Sequence, residues 1–392
     1  MRVLYIDGVG EFGGACKSLS ENLEQVKNEV DSIFFITQKG TANSYYSKFS
    51  ENIISVSGLS RFDNTEYSYY KGFRWLILLR ELFYIPFTLY AFLVAKIKWK
   101  KFDIIHVNEI TELLPIIFSS IFFNSKIIVH CRSVNRINKS LRGSTITFIL
   151  RKLTNCIICI DKYVYNSLDS RLNRIIINNS FSILQDFKFK KSESNIVFGF
   201  IGSISEMKGV FDLVNAFNMI SKDTNAKLLI AGGEAKKIAP FFKVILNFFK
   251  INNGSINQLE DLVVKYKLES RVSLLGHISD TYSFYSKIDV LCFPSHFNAP
   301  GRPVLEAASF GIPSIVSVLD SNNDTFIDNE TGIKIEKKNI NDLARAMILL
   351  INHPNKIIEM GSKAKDMSLK YNDPKINAQK LINLYNQICS KN

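Results

Sequence analysis

The stretch VLCFPSHFNAPGRPVLEAASFGIPSIV, Val290 to Val316, leaves this chain little choice of fold. Val290 to Phe293 read as a strand buried on both faces, and Pro294, Pro300 and Gly301 then break the chain into a loop. A short helix opens at Pro303, and a second buried strand follows Gly311 and Pro313. Strands without a polar face belong to parallel sheets covered by helices. In such a sheet, a loop leading from a strand's carboxyl end to a helix N-terminus is where phosphate-bearing ligands bind. The chain is therefore α/β, with a candidate anion site between positions 294 and 306.

The same pattern recurs along the chain. Apolar strands are expected at Arg2 to Ile6, Ile33 to Ile36, Phe102 to Glu109, Lys126 to Ser133, Cys156 to Ile160 and Arg174 to Ser180. After the polar stretch DFKFKKSESN, Asp186 to Asn195, the series resumes with IVFGFIG, LLIAGGE and RVSLLGHIS. A chain of 392 residues is long for one core, and that polar stretch has the composition of a linker. Domain boundaries are expected at 1–188 and 196–372, with 373–392 forming a last amphipathic helix, Asp373 to Cys389.

A formal charge of +13 points to anionic partners, such as nucleoside diphosphates or an anionic membrane face. No arginine-rich tract or nucleic-acid module accompanies it, which argues against nucleic acid. Met1 leads directly into a strand and the six cysteines are scattered, so a reducing, cytoplasmic setting is expected. Cys156 and Cys159 form a C-x-x-C, but positions three apart on a strand face opposite ways and cannot share a metal.

Gly8, Gly10 and Gly13 satisfy the dinucleotide fingerprint G-x-G-x-x-G literally. A ribose-binding acid should then end the second strand; Thr37 and Gln38 stand there, and Asp31 lies at the wrong end. An NAD(P)-dependent oxidoreductase is accordingly an alternative reading.

Between Phe73 and Trp99 the sequence is apolar almost all round and ends in Lys96, Lys98, Lys100 and Lys101. The uncharged run Leu82 to Ala95 has 14 residues, fewer than the roughly 20 a bilayer span needs, and Pro86 interrupts it. It reads either as an interfacial segment or as a core helix with a basic end. The apolar, basic run at 236–250 is a loop insertion, again either membrane-facing, acceptor-facing or a lid on its own domain.

The organising stretch, together with IGSISEMKG (Ile201 to Gly209), resembles retaining glycosyltransferases of family 4. That resemblance implies the GT-B fold: two Rossmann-like domains with a cleft between them and a C-terminal helix crossing back to the first. In that family two glutamates eight positions apart flank the loop, the second binding the donor ribose. Glu306 matches the second, while Asn298 stands at the first, an amide that still bonds hydroxyls but carries no charge. A lysine after the Gly202 turn neutralises the donor diphosphate, and Lys208 matches it; Ser203 stands where an arginine is usual. Arg302 is the expected substitute for that missing cation, and the helix amides at Val304 and Leu305 are expected to meet a phosphate oxygen. Gly13 and Gly14 match the family's first glycine loop facing the donor, Gly276 its turn beside the base, and Gly301 its loop glycine. His130 matches a histidine near the reacting sugar, and His106 ends the neighbouring strand.

The resemblance implies transfer of a sugar from a nucleotide-sugar, UDP-linked by preference over GDP, to a hydroxyl of a glycan or lipid-linked acceptor. The setting it implies is bacterial surface-polysaccharide synthesis, O-antigen or capsule, at the inner face of the membrane. In such enzymes the departing phosphate is thought to take the acceptor proton. His130, Glu306 and Lys208 are the expected catalytic residues. No D-x-D pair occurs, so no metal and no other cofactor is expected. Because Asn298 and Ser203 depart from the pattern, a non-catalytic, membrane-associated binding module of the same fold is a further alternative.

Overall fold

The computed structural model describes residues 1–63, 65, 76–135, 141–181, 195–234, 254–297 and 300–390. The run at 236–250, Asn298 and nearly all of the expected linker lie outside the described residues. Two compact units form, one from Met1–Ser182 with Tyr371–Asn392 and the other from Ile183–Lys370. Position 372, expected in the second domain, belongs to the first: Phe181 N donates to Asn372 O at 3.0 Å and Asn372 Nδ2 to Asn179 O at 2.8 Å.

The first unit is built on a seven-stranded sheet, every pairing parallel. Its strands are β1 (Arg2–Asp7), β2 (Ser32–Gln38), β3 (Ile53–Val56), β4 (Ile104–Val107), β5 (Lys126–Cys131), β6 (Cys156–Cys159) and β7 (Arg174–Ile176). They lie in the order β3-β2-β1-β4-β5-β6-β7. Its helices are α1 (Gly14–Val26), α2 (Asn43–Tyr46), α3 (Leu76–Trp99), α4 (Leu113–Phe122), α5 (Leu141–Leu153) and α6 (Lys162–Asn166).

The second unit has six parallel strands: β8 (Val197–Ile201), β9 (Lys227–Ala231), β10 (Val272–Gly276), β11 (Val290–Phe293), β12 (Ser314–Ser317) and β13 (Gly332–Ile335). Their order is β10-β9-β8-β11-β12-β13. The helices are α7 (Val210–Ser221), α8 (Ser255–Lys265), α9 (Thr281–Tyr285), α10 (Arg302–Ser309), α11 (Ile340–Asn352) and α12 (Pro354–Tyr371). A last helix, α13 (Pro374–Ser390), returns to the first unit and packs Leu381, Tyr385 and Ile388 with α1 and β1.

Period-2 alternation sorts each strand between two cores. In the first sheet Tyr5, Phe35, Ile104, Ile128 and Cys156 face α1 and α13, whereas Ile6, Ile36, Ile105, Val129 and Cys159 face α3, α4 and α5. Cys156 and Cys159 thus lie on opposite faces, as their spacing requires. The strand order reverses between β1 and β4, and again between β8 and β11. These are the topological switch points where open sheets leave a crevice at their carboxyl ends.

Helix α3 runs unbroken through Pro86, where an interruption was expected. Pro86 is exposed, so the hydrogen bond its missing N–H forfeits leaves a carbonyl on the solvent side, where water satisfies it.

Candidate functional site

At the second switch point the chain leaves β8 through Gly202, makes a tight turn at Glu206–Lys208 and enters α7 through Gly209. Gly209 has φ +73°, and a Cβ there would sit 1.9 Å from the Pro294 carbonyl oxygen. Only glycine allows that approach, which seats the Lys208 turn against the loop leaving β11. Polar contacts fasten the two together. Met207 O accepts from His296 N at 3.0 Å and Ser295 Oγ at 3.3 Å, while His296 Nε2 meets Asp212 Oδ2 at 2.7 Å. Gly209→Ala should lower stability by roughly 2–4 kcal/mol, since a strained left-handed residue and a backbone clash add. A melting-temperature shift of the purified variant checks it, and an unchanged melt would contradict the geometry.

Lys208 is half-buried, its Nζ 5.4 Å from the Phe293 ring centroid and 5.0 Å from that of Phe297. Burial holds its pKa below the usual lysine value. Among the described residues no carboxylate pairs with it, so its charge is held against aromatic faces alone. Ser203 is partly buried in the same turn.

Helix α10 begins with Gly301 as N-cap, where a Cβ would meet the Phe293 ring at 2.5 Å. Its apolar side chains Val304 and Leu305 are buried, and Val304 with Ala307 joins the core that holds Leu291 and Phe293 of β11. Amphipathic placement then aims Glu306 inward, 8% exposed. Glu306 Oε1 accepts from Arg302 Nε at 2.8 Å and Oε2 from Tyr285 Oη at 2.9 Å. The glutamate charge, after burial, holds the Tyr285 phenol well above its ordinary pKa.

Two sequence expectations change here. The Val304 amide, expected to meet phosphate, donates instead to Gly301 O at 3.0 Å, because Pro303 has no N–H and the first turn closes tightly. Arg302, expected to face the diphosphate, commits Nε to Glu306 one turn along the helix. Gly276 ends β10 with φ +65°, leaving its surroundings open.

The first unit carries a separate buried polar cluster at the carboxyl ends of β1, β4 and β5. His106 and His130 both fall on the α13 side of the sheet and their rings stack, centroids 5.4 Å apart. Tyr385 Oη bonds His106 Nδ1, His106 Nε2 lies 3.3 Å from His130 Nδ1, and Arg132 Nη2 lies 3.3 Å from the same nitrogen. Arg132 only donates, so His130 Nδ1 accepts and its proton sits on Nε2. That Nε2 is buried and has no partner among the described residues. Burial, followed by the Arg132 charge, lowers both imidazoles, His106 to about 3. His130 therefore presents a neutral N–H donor, positioned by a chain that starts at Tyr5 Oη, 3.1 Å from Tyr385 Oη.

Beside it, Asp7 accepts from Tyr46 Oη and from Val9 N at 3.1 Å, and Glu112 Oε1 accepts from Gly8 N at 2.6 Å. The first amide of the glycine-rich turn is thus occupied by a carboxylate. Gly10 packs against the chain after β2, where a Cβ would meet Lys39 O at 2.5 Å. These glycines serve close backbone packing. Gly13 caps α1 and Gly14 opens it, both exposed.

Burial pushes Glu109 up to about 7 against the pull of Ile110 N and Arg132. Its proton is bound in the folded state between pH 4.5 and 7 and released in the unfolded state, so its contribution to stability falls as pH rises through that window. Glu109→Gln removes that slope, and its stability should gain on the unsubstituted protein by up to about 1.4 kcal/mol per pH unit between pH 5 and 7. Parallel denaturation curves across that range would refute the assignment.

The residues that sequence reading missed are Asp7, Glu112, Tyr285, Arg132 and the His296–Asp212 pair. Asp7 at the end of β1 was the one signal available, since an acid closing an apolar strand beside a glycine turn has to find a partner.

Residues 182–367 match the family model described as "Glycosyl transferases group 1". Over 170 residues the chain is 29% identical to the capsular polysaccharide biosynthesis glycosyltransferase CapM of Staphylococcus aureus, covering 43% of this chain and 40% of that one. Over 220 residues it is 31% identical to an uncharacterised glycosyltransferase of Methanocaldococcus jannaschii, 55% of either chain. It thus spans about half the length of these curated relatives. Anabaena HepE, solved with UDP and with UDP-glucose, superposes with TM-scores of 0.75 and 0.74 at 17% and 16% identity, covering 99% of this chain and 100% of that one. The fold is the two-unit, parallel-sheet GT-B architecture expected from the sequence.

Proposed function

We propose, from a second unit that carries the glycosyl transferases group 1 match over residues 182–367, that this protein transfers a sugar from a UDP-sugar to an acceptor hydroxyl with retention at the anomeric carbon. The acceptor class is a glycan or lipid-linked sugar in surface-polysaccharide assembly on the cytoplasmic side of a membrane. The observation that carries the reading is Glu306, a buried carboxylate with both oxygens oriented, at the head of the helix that follows the switch-point strand.

In this reading Lys208 neutralises the diphosphate as the bond between the anomeric carbon and the phosphate oxygen breaks. A cation partly stripped of water and without a carboxylate partner among the described residues gains most where charge develops. Arg302 orients Glu306 and adds positive potential, partly standing in for the cation missing at Ser203. On the first unit, His130 offers its Nε2–H to a hydroxyl of the acceptor. No metal takes part.

Thermal denaturation with UDP, GDP, CDP or NADH tests the donor class. A ligand at 100 times its Kd stabilises by about 2.7 kcal/mol, and UDP alone should do so. NADH responding in its place would revive the oxidoreductase reading. Binding without turnover of any UDP-sugar would make this a binding module. Turnover lost to EDTA and restored by Mn²⁺ would overturn metal independence.

A further inference from the structure

Helices α3, α4 and α5 form the outer layer on one face of the first sheet. The outward positions of such a layer are ordinarily polar. On α3 they are apolar. Leu79, Leu82, Phe83, Tyr90, Leu93 and Ile97 fall along one side of the helix and are 44% to 76% exposed, while the inward stripe includes the polar Glu81 and Thr88 beside Ala91, Phe92 and Ala95. At 1.5 Å per residue this apolar ridge is about 27 Å long. Ile121 on α4 and Phe148 on α5 add exposed apolar side chains to the same layer, 68% and 59% exposed. An apolar recess of about 230 Å³, lined by residues such as Leu78, Ile85, Leu113 and Ile117, opens between α3 and α4.

The exposed charge of these three helices has one sign. Arg80, Lys96 and Lys98 lie on α3, Lys100 and Lys101 follow it, and Arg151 and Lys152 end α5. α4 and α5 contain no acid. The acid of α3, Glu81, is 2% exposed, accepts from Arg61 N at 2.7 Å and pairs with Arg80.

We propose that this face docks on the anionic surface of a lipid bilayer, with α3 lying in the plane of the interface. An apolar ridge ending in lysines matches the acyl boundary and headgroups of such a surface together. A second copy of this chain would instead set cations against cations. The helix is long and apolar enough to cross a bilayer, but its inner stripe is tied to the sheet layer. Thr88 Oγ1 accepts from Ser60 N at 2.9 Å, and Ala91, Phe92 and Ala95 are fully buried. Crossing would strip these contacts and leave Glu81 in hydrocarbon. The inference rests on the first unit alone and holds whatever the donor proves to be.

Cosedimentation with vesicles of phosphatidylcholine, alone or with one lipid in three replaced by phosphatidylglycerol, tests it on the full chain. Binding is expected only to the anionic vesicles and is released by salt. Each lysine near such a surface is worth roughly fivefold, so Lys96→Gln, Lys98→Gln, Lys100→Gln and Lys101→Gln together should weaken binding more than about 100-fold. Leu82→Glu with Phe83→Glu should abolish it. Both variants should keep the melting temperature and the UDP response of the unsubstituted protein, because every altered side chain is outside the core and the donor site. Equal binding to both vesicle types, or unweakened binding by the folded variants, overturns the proposal. So does a lipid-free dimer that the Leu82→Glu, Phe83→Glu pair dissociates, or retention after alkaline carbonate, the mark of a spanning helix.

Discussion

Glu306→Gln should fold normally yet lose nearly all stabilisation by UDP, with the dissociation constant rising about 100-fold. A hydrogen bond to a charged acceptor is worth about 1.5–3 kcal/mol, and in the proposed function the carboxylate accepts from the donor ribose. Glutamine keeps an oxygen for Tyr285 or Arg302 but no charge, so the variant separates binding from folding. Glu306→Ala is the harsher case: it takes the carboxylate away from the Arg302 guanidinium, 14% exposed, and leaves the fully buried Tyr285 hydroxyl with the longer bond to Pro303 O at 3.3 Å. Removing one member of such a buried pair costs about 3–5 kcal/mol, so alanine should lower the melting temperature as well as abolish binding. Calorimetric titration of UDP into both variants decides it. Unchanged UDP affinity in Glu306→Gln would move the ribose site away from α10.

Lys208→Met should cut kcat/KM about 10²–10³-fold while leaving the ligand-free protein no less stable. The loss follows from removing a fixed cation beside a developing diphosphate, an interaction worth about 3–4 kcal/mol in mutational series. The stability follows from the other side of the same burial. Because the folded pKa lies below the unfolded value, the unfolded chain binds more protons in between. Stability therefore rises as the lysine neutralises with increasing pH, and is penalised below the folded pKa. Methionine carries no such penalty and still covers Phe293 and Phe297. Against this stands the loss of the cation–ring attraction, about 0.5–1 kcal/mol, which limits the gain. Melting curves from pH 7 to 10 should climb for the unsubstituted protein relative to Lys208→Met. A variant several degrees less stable, or one with undiminished turnover, would mean the lysine serves the fold rather than the phosphate.

Most strands could be read from the sequence because strands buried on both faces are continuous apolar runs, as in Ile127 to Val129 or Leu228 to Ile230. The edge strand β3 could not, since half of its four residues are only partly covered and its alternation is too short to stand out. Helix α12 was equally silent: lysines and glutamate interrupt its apolar positions, and its fit against the sheet rests on small residues such as Gly361 beside Gly311. The turns that carry Glu306 and Lys208 were legible because glycine and proline punctuate them. The polar clusters were not, because their partners are remote. Glu112 bonds an amide 104 positions away, His106 meets Tyr385 across 279, and His296 reaches Asp212 across 84. Pattern reading sees neighbours on one helix or strand, and topology alone brings these together.

The return of α13 to the first sheet has a consequence for how the protein is made. Tyr385 supplies the hydroxyl that orients His106, and Leu381 and Ile388 complete the core beside β1. A ribosome delivers β1 first and α13 only after the whole second unit has emerged. Until then the first sheet waits with an apolar face uncovered, while the second unit can fold without delay. Nascent chains interrupted between positions 183 and 370 lack α13 and leave that face uncovered.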